Sequence, residues 1–86
     1  MKQLEKTLKA MANRRRLAIA KFLKDNSASS VGEIAREIKL SFKSTSRHLG
    51  LLSAADIVDK EQKGLTVFYS LSKDQKPIIK SLISHL

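Results

Sequence analysis

Only two residues, Lys39 and Leu40, separate Ile38, the last apolar position of one helical pattern, from Ser41, a residue suited to cap the next. The connection leaves room for nothing but a tight turn. The helix ahead of it opens on Ser30-Val31-Gly32-Glu33, the S-x-x-E spacing of a capping box, and continues through Ile34, Ala35 and Ile38. The helix behind it, SFKSTSRHLGLL, has two unlike sides when successive residues are placed 100° apart. Thr45, His48, Leu49 and Leu52 share one side, and Lys43, Ser46, Arg47 and Gly50 the other. The first side suits a core; the second is left for a partner.

The rest of the chain fits around this unit. Leu4, Leu8 and Met11 mark a first helix broken near Asn13, which is placed to cap a second helix carrying Leu17, Ile19, Ala20, Phe22 and Leu23. The polar run Asp25 to Ser30 reads as a loop. Beyond Asp56 the period changes. Residues 57 to 61 read as extended, Gln62-Lys63-Gly64 as a turn, and Leu65, Val67, Tyr69 and Leu71 alternate with Thr66, Phe68 and Ser70, so that residues 57 to 71 predict a hairpin. Ser72 or Asp74 is positioned to cap a last helix with Pro77 in its first turn and Ile78, Ile79, Leu82, Ile83 and Leu86 as its apolar stripe. The expected fold is mostly α with a small β-hairpin, in the order α-α-α-α-β-β-α: a winged helix-turn-helix forming one domain over residues 1 to 86.

Composition narrows the function. With 86 residues and no cysteine, the fold rests on one small core, and disulfides, thiolate metal sites and cysteine nucleophiles are excluded. No glycine-rich phosphate loop stands out, no Ser-His-Asp spacing does either, and there are only two histidines, so an enzyme is not expected, nor a cofactor or bound metal. No apolar run approaches the roughly 18 residues that cross a bilayer. The expectation is a cytoplasmic protein without a membrane partner.

A formal charge of +9 favours a polyanion. Residues 1 to 29 hold eight basic and two acidic groups, against six and five in residues 30 to 63, so charge alone does not single out the helix after the turn. Its residue types do. A B-DNA major groove accepts an α-helix, and the helix at residues 42 to 53 offers Arg47 for a bidentate guanine contact, Lys43 for a base or phosphate, and Ser41 and Ser46 for phosphates or base edges. Phe42 either meets a thymine methyl or packs on the preceding helix, and Ser44 either joins the contacts or satisfies helix backbone. In the hairpin, Lys60, Gln62 and Lys63 beside Gly64 suit a tip lying along phosphates, with Glu61 opposing. Arg14, Arg15 and Arg16 crowd a helix N-terminus against its dipole, a conflict that a phosphate at Arg14 or Arg15 would relieve.

The stretches LKAMANRRRLAIAKFL, VGEIAREIKLSFKSTSRHLGLLSAADIV and KEQKGLTVFYSL together resemble the ArsR family of winged-helix repressors, over about Leu8 to Leu71. TSRHLGLL and a wing ending in FYSL are the most specific pieces. The resemblance implies a homodimer joined by the first and last helices, a palindromic operator near a promoter, and DNA-facing roles for Phe42, Lys43, Ser46, Arg47 and the wing around Lys63. It also implies departures. Ser30 and Gly32 stand where many members carry metal-sensing cysteines, Lys76 stands where a ligand histidine is expected near Asp74, and His85 is left alone. Asp56 replaces the usual glycine after the reading helix, in a left-handed position that Asp tolerates.

Independently of the resemblance, Leu4, Leu8 and Met11 at one end and Ile78, Ile79, Leu82, Ile83 and Leu86 at the other exceed what so small a core needs, and point to a partner subunit. The sequence thus predicts a dimeric, sequence-specific regulator of transcription acting as a repressor. A nonspecific, chromatin-like DNA coater and a winged-helix adaptor for other proteins are the alternatives.

Overall fold

A computed structural model describes all residues, 1 to 86. The chain forms α1 (Lys2–Met11), α2 (Arg14–Asp25), β1 (Ser29–Ser30), α3 (Val31–Ile38), α4 (Phe42–Ala54), β2 (Val58–Lys63), β3 (Thr66–Leu71) and α5 (Pro77–Ser84). The winged helix-turn-helix order is as expected, with one strand more.

Each helix of the central trio starts where its sequence says it should. Asn13 accepts from the backbone N–H of Arg15 at 2.9 Å and of Arg16 at 3.1 Å, Ser30 and Glu33 close a complete capping box, and the Ser41 hydroxyl accepts from the Ser44 N–H at 3.1 Å. The Ser30 backbone N–H and hydroxyl together hold the Glu33 carboxyl below its ordinary pKa. Lys39 ends α3 at φ 56°, in the left-handed region, and this turns the chain within two residues into α4. Asp56, at φ 59°, does the same after α4.

Helices α2, α3 and α4 enclose a core in which Ile19, Ile34, Leu49, Leu52 and Ile57 are fully buried. Burying one such side chain is worth about 2 kcal/mol. Thr45 is also fully buried, on the inward side of α4, and its hydroxyl has no partner. The last helix lies along α2, whose Lys24 and Lys21 ammonium groups donate to the carbonyls of Ser84 at 3.4 Å and Leu86 at 3.5 Å. Cations at these carbonyls complement the end of the α5 dipole.

The sheet has the order β1-β3-β2 and is antiparallel throughout, with Lys63 facing Thr66 at the hairpin end and Ser29 and Ser30 facing Tyr69 and Phe68. Three local expectations need correction. Ser29 and Ser30 are not loop but a third strand, because β3 would otherwise leave that edge unpaired. The hairpin turn is Gly64-Leu65 rather than Gln62-Lys63-Gly64; Gly64 takes φ 64°, so Leu65 leaves the inward alternation and stands fully exposed at the tip. Neither Ser72 nor Asp74 caps α5, which begins at Lys76 without a side-chain cap and with Pro77 as its first residue.

Candidate nucleic-acid interface

The polar side of α4 faces out. Ser41, Phe42, Lys43 and Arg47 are exposed and Ser44 and Ser46 half-buried, while Thr45, Leu49 and Leu52 on the opposite side have no exposure at all. Neither Lys43 nor Arg47 is held by an ion pair or hydrogen bond within the chain, so both long cationic side chains are free for a ligand. Phe42 is 63% exposed at the helix entrance and does not bury itself on the preceding helix. Gly50 has nothing within 4 Å of where a Cβ would stand, so its lack of a side chain leaves the outer face of α4 bare without being forced by packing.

Between the start of α4 and the inner side of the hairpin lies an open cleft of about 500 Å3, bordered by Phe42 and Ser46 from α4, Gly32 from α3, and Lys60 and Thr66 from the strands. No acidic side chain lines it. At the hairpin tip the side chain of Gln62 donates to the Gly64 carbonyl at 3.2 Å, and Lys63 sits 3.3 Å from Glu61. That exposed pair leaves Lys60 as the wing cation without a carboxylate partner. An exposed pair of this kind is weak, so a phosphate can compete for Lys63.

The arginine run divides. Arg14 is exposed and Arg15 half-buried, neither engaged by a side-chain hydrogen bond or ion pair, whereas Arg16 turns inward. Its Nε and Nη2 donate to the carbonyls of Ala10 and of Lys9, the latter at 3.3 Å, and its Nη1 lies 3.2 Å from Nδ1 of His48. A run of three cations gave no sign that one of them is structural. Only its folded contacts, to the end of α1 and across 32 residues to His48, distinguish it.

The residues expected at a subunit interface divide too. Met11, Ile79 and Ile83 are buried within their own chain, so they serve the core first. Leu8 at 42%, Leu82 at 37%, Leu4 and Ile78 remain exposed. Leu8, Leu82 and half-buried Leu86 join Leu17 and Ala12 around one apolar depression between α1 and α5. No group of three histidine, aspartate or glutamate side chains gathers as a metal site would require, and no helix is long and apolar enough to cross a membrane.

Residues 13 to 60 match the model of a family described as bacterial regulatory protein, arsR family. The chain is 40% identical over 79 residues to the transcriptional activator HlyU of Vibrio cholerae serotype O1, covering 92% of this chain and 72% of that protein. The solved structure of reduced HlyU from Vibrio cholerae N16961 is similar with a TM-score of 0.83 at 39% identity, over 98% of this chain and 84% of that one. A homodimeric winged helix-turn-helix DNA-binding domain from Mycobacterium bovis superposes with a TM-score of 0.83 at 24% identity, over 98% of this chain and 74% of that one, and bears on the fold alone.

Proposed function

Because the chain belongs to the arsR family of bacterial regulatory proteins, and is thus a DNA-binding transcription regulator of the winged-helix type, we propose that it works as a homodimer that reads a palindromic operator in double-stranded DNA. The observation carrying this reading is the outward face of α4, where uncommitted Lys43 and Arg47 stand with Ser46 beside a cleft that Lys60 closes from the wing. In this reading α4 enters the major groove, Arg47 pairs with guanine and Phe42 meets a thymine methyl. The hairpin, with Lys60, Gln62 and Lys63, follows the phosphate backbone, and Arg14 and Arg15 hold phosphates where the start of α2 reaches the surface.

The exposed apolar depression of Leu8, Leu82 and Leu86 supports a two-fold partner. A two-fold dimer sets two reading helices about one turn of DNA, roughly 34 Å, apart. Regulation then follows from occupancy, with repression the outcome where the operator overlaps a promoter.

Selection of duplexes from a random pool at near-physiological salt tests this. The expected product is an inverted repeat whose half-sites are about 10 to 11 base pairs apart. Arg47→Ala should cost about 1 to 3 kcal/mol on that duplex and relax one position of each half-site. Lys60→Ala should weaken all sequences alike and lower the salt slope by about 1 per subunit. Retention with no enriched motif would instead identify a nonspecific coater. Absence of DNA binding by the folded dimer would leave the adaptor reading.

A further inference from the structure

One guanidinium joins three segments. The carbonyls of Lys9 and Ala10 lie in the last turn of α1, where backbone donors run short and Lys9 keeps only a 3.3 Å bond from the Ala12 N–H, and Arg16 supplies donors to both from the first turn of α2. Its remaining arm reaches His48, in the middle of α4 and next in sequence to Arg47. The end of α1, part of the apolar face described above, is therefore linked to the reading helix by a single side chain.

An arginine can only donate, so Nδ1 of His48 must present its lone pair and the ring proton must sit on Nε2. A doubly protonated ring would set N–H against N–H. Nothing nearby would compensate: the charged groups facing His48 are Arg16 and Arg15 from α2 and Arg47 from its own helix. Along α1, the groove that Arg16 lines carries Lys2, Lys6, Lys9 and a single carboxylate, Glu5, which is paired with Lys9 at 3.9 Å.

We propose that Arg16 is a positioning residue for DNA reading, gripping α4 through a neutral His48, and that protonation of His48 releases the grip and weakens DNA binding. This rests on the reading that α4 enters the groove. Partial burial of the ring, then the charges of Arg16, Arg47 and Arg15, lower the pKa of His48. The link is therefore intact at neutral pH and is lost as pH falls below the ordinary histidine range. The same sign holds for stability, since the unfolded chain takes up this proton first.

The only other histidine, His85, is exposed at the end of α5, with Nδ1 2.7 Å from the Ser81 carbonyl; it borders the apolar depression and is present in both proteins compared below. The test has two arms on the full chain. In the first, histidine ring nitrogens are followed by NMR without DNA from about pH 7.5 down to about pH 5. The expected result is an Nε2–H tautomer for His48, and in Arg16→Gln a raised His48 pKa with shifted amide resonances at Ser44 to Arg47. An Nδ1–H tautomer, or unmoved amides in a folded Arg16→Gln, overturns the proposal.

In the second arm, affinity for the duplex enriched from the random pool is measured over the same pH range. The wild type should weaken on the order of fivefold more than His48→Gln, as loss of one partly buried hydrogen bond predicts. Equal profiles for wild type and His48→Gln overturn the proposal. If the wild type binds no duplex at any pH, the functional reading has failed, and the first arm decides alone whether Arg16 positions α4.

Discussion

Helices α2, α3 and α4 each begin on a side chain, Asn13, Ser30 or Ser41, that accepts from the first turn, whereas α1 and α5 begin at Met1 and Lys76 with no such bond. Burial follows the same division. Ile19, Ile34, Leu49 and Leu52 of the central trio are fully enclosed, while Leu4, Leu8, Ile78 and Leu82 of the end helices stand partly in solvent. Apart from Phe42 and Leu51 on the outer side of α4, the centre is finished within one chain. The ends offer an unfinished face, and the apolar depression there shares no lining residue with the cleft beside α4.

The largest effect should come from breaking the finished half. Leu52→Ala leaves a cavity where no solvent reaches, and should lower unfolding free energy by about 3 kcal/mol in urea titration. Leu82→Asp attacks the unfinished half instead. It should shift the protein toward monomer in sedimentation by about 2 kcal/mol, with helical content kept at high concentration. An unchanged oligomeric state would erase the contrast.

Smaller changes sharpen it. Ser41→Ala removes the cap of α4 and should cost about 1 kcal/mol of stability, visible as a lower melting temperature. Smallest is the acid response of the capping box. The Glu33 pKa is lowered in the fold, so its contribution is present above the ordinary carboxylate range and is lost as pH falls through the folded value. Glu33→Gln should flatten that part of the stability curve, since the amide oxygen keeps the bond without the proton.

Much of this division was legible in the sequence because caps are local chemistry. S-x-x-E, Asn13 and Ser41 name their helix starts within three residues, and the 100° rule separated Thr45 and Leu49 from Lys43 and Arg47. What escaped is set by distant partners. Two serines carry no strand signal, and Ser29 and Ser30 become one only because β3 lies alongside. Leu65 fits the alternation as well as Val67 does, yet register puts it in the turn. Met11 and Ile79 sit in stripes identical in kind to Leu8 and Ile78, and only the packed tertiary structure divides inward from outward. Arg16 is indistinguishable from Arg14 until α1 and α4 are folded against it.

The two-residue strand has a further consequence. Through Ser29 and Ser30 the hairpin is stitched to the segment that opens α3, the helix leading into the tight turn before α4. If α4 and the hairpin both meet DNA as proposed, they do so as jaws of one caliper rather than as an arm swinging from a fixed body. In that reading a duplex gripped by both would supply much of the adjustment, and stretches of DNA differ in how easily they narrow, twist or bend to fit. Selectivity can therefore extend to base pairs that no side chain touches.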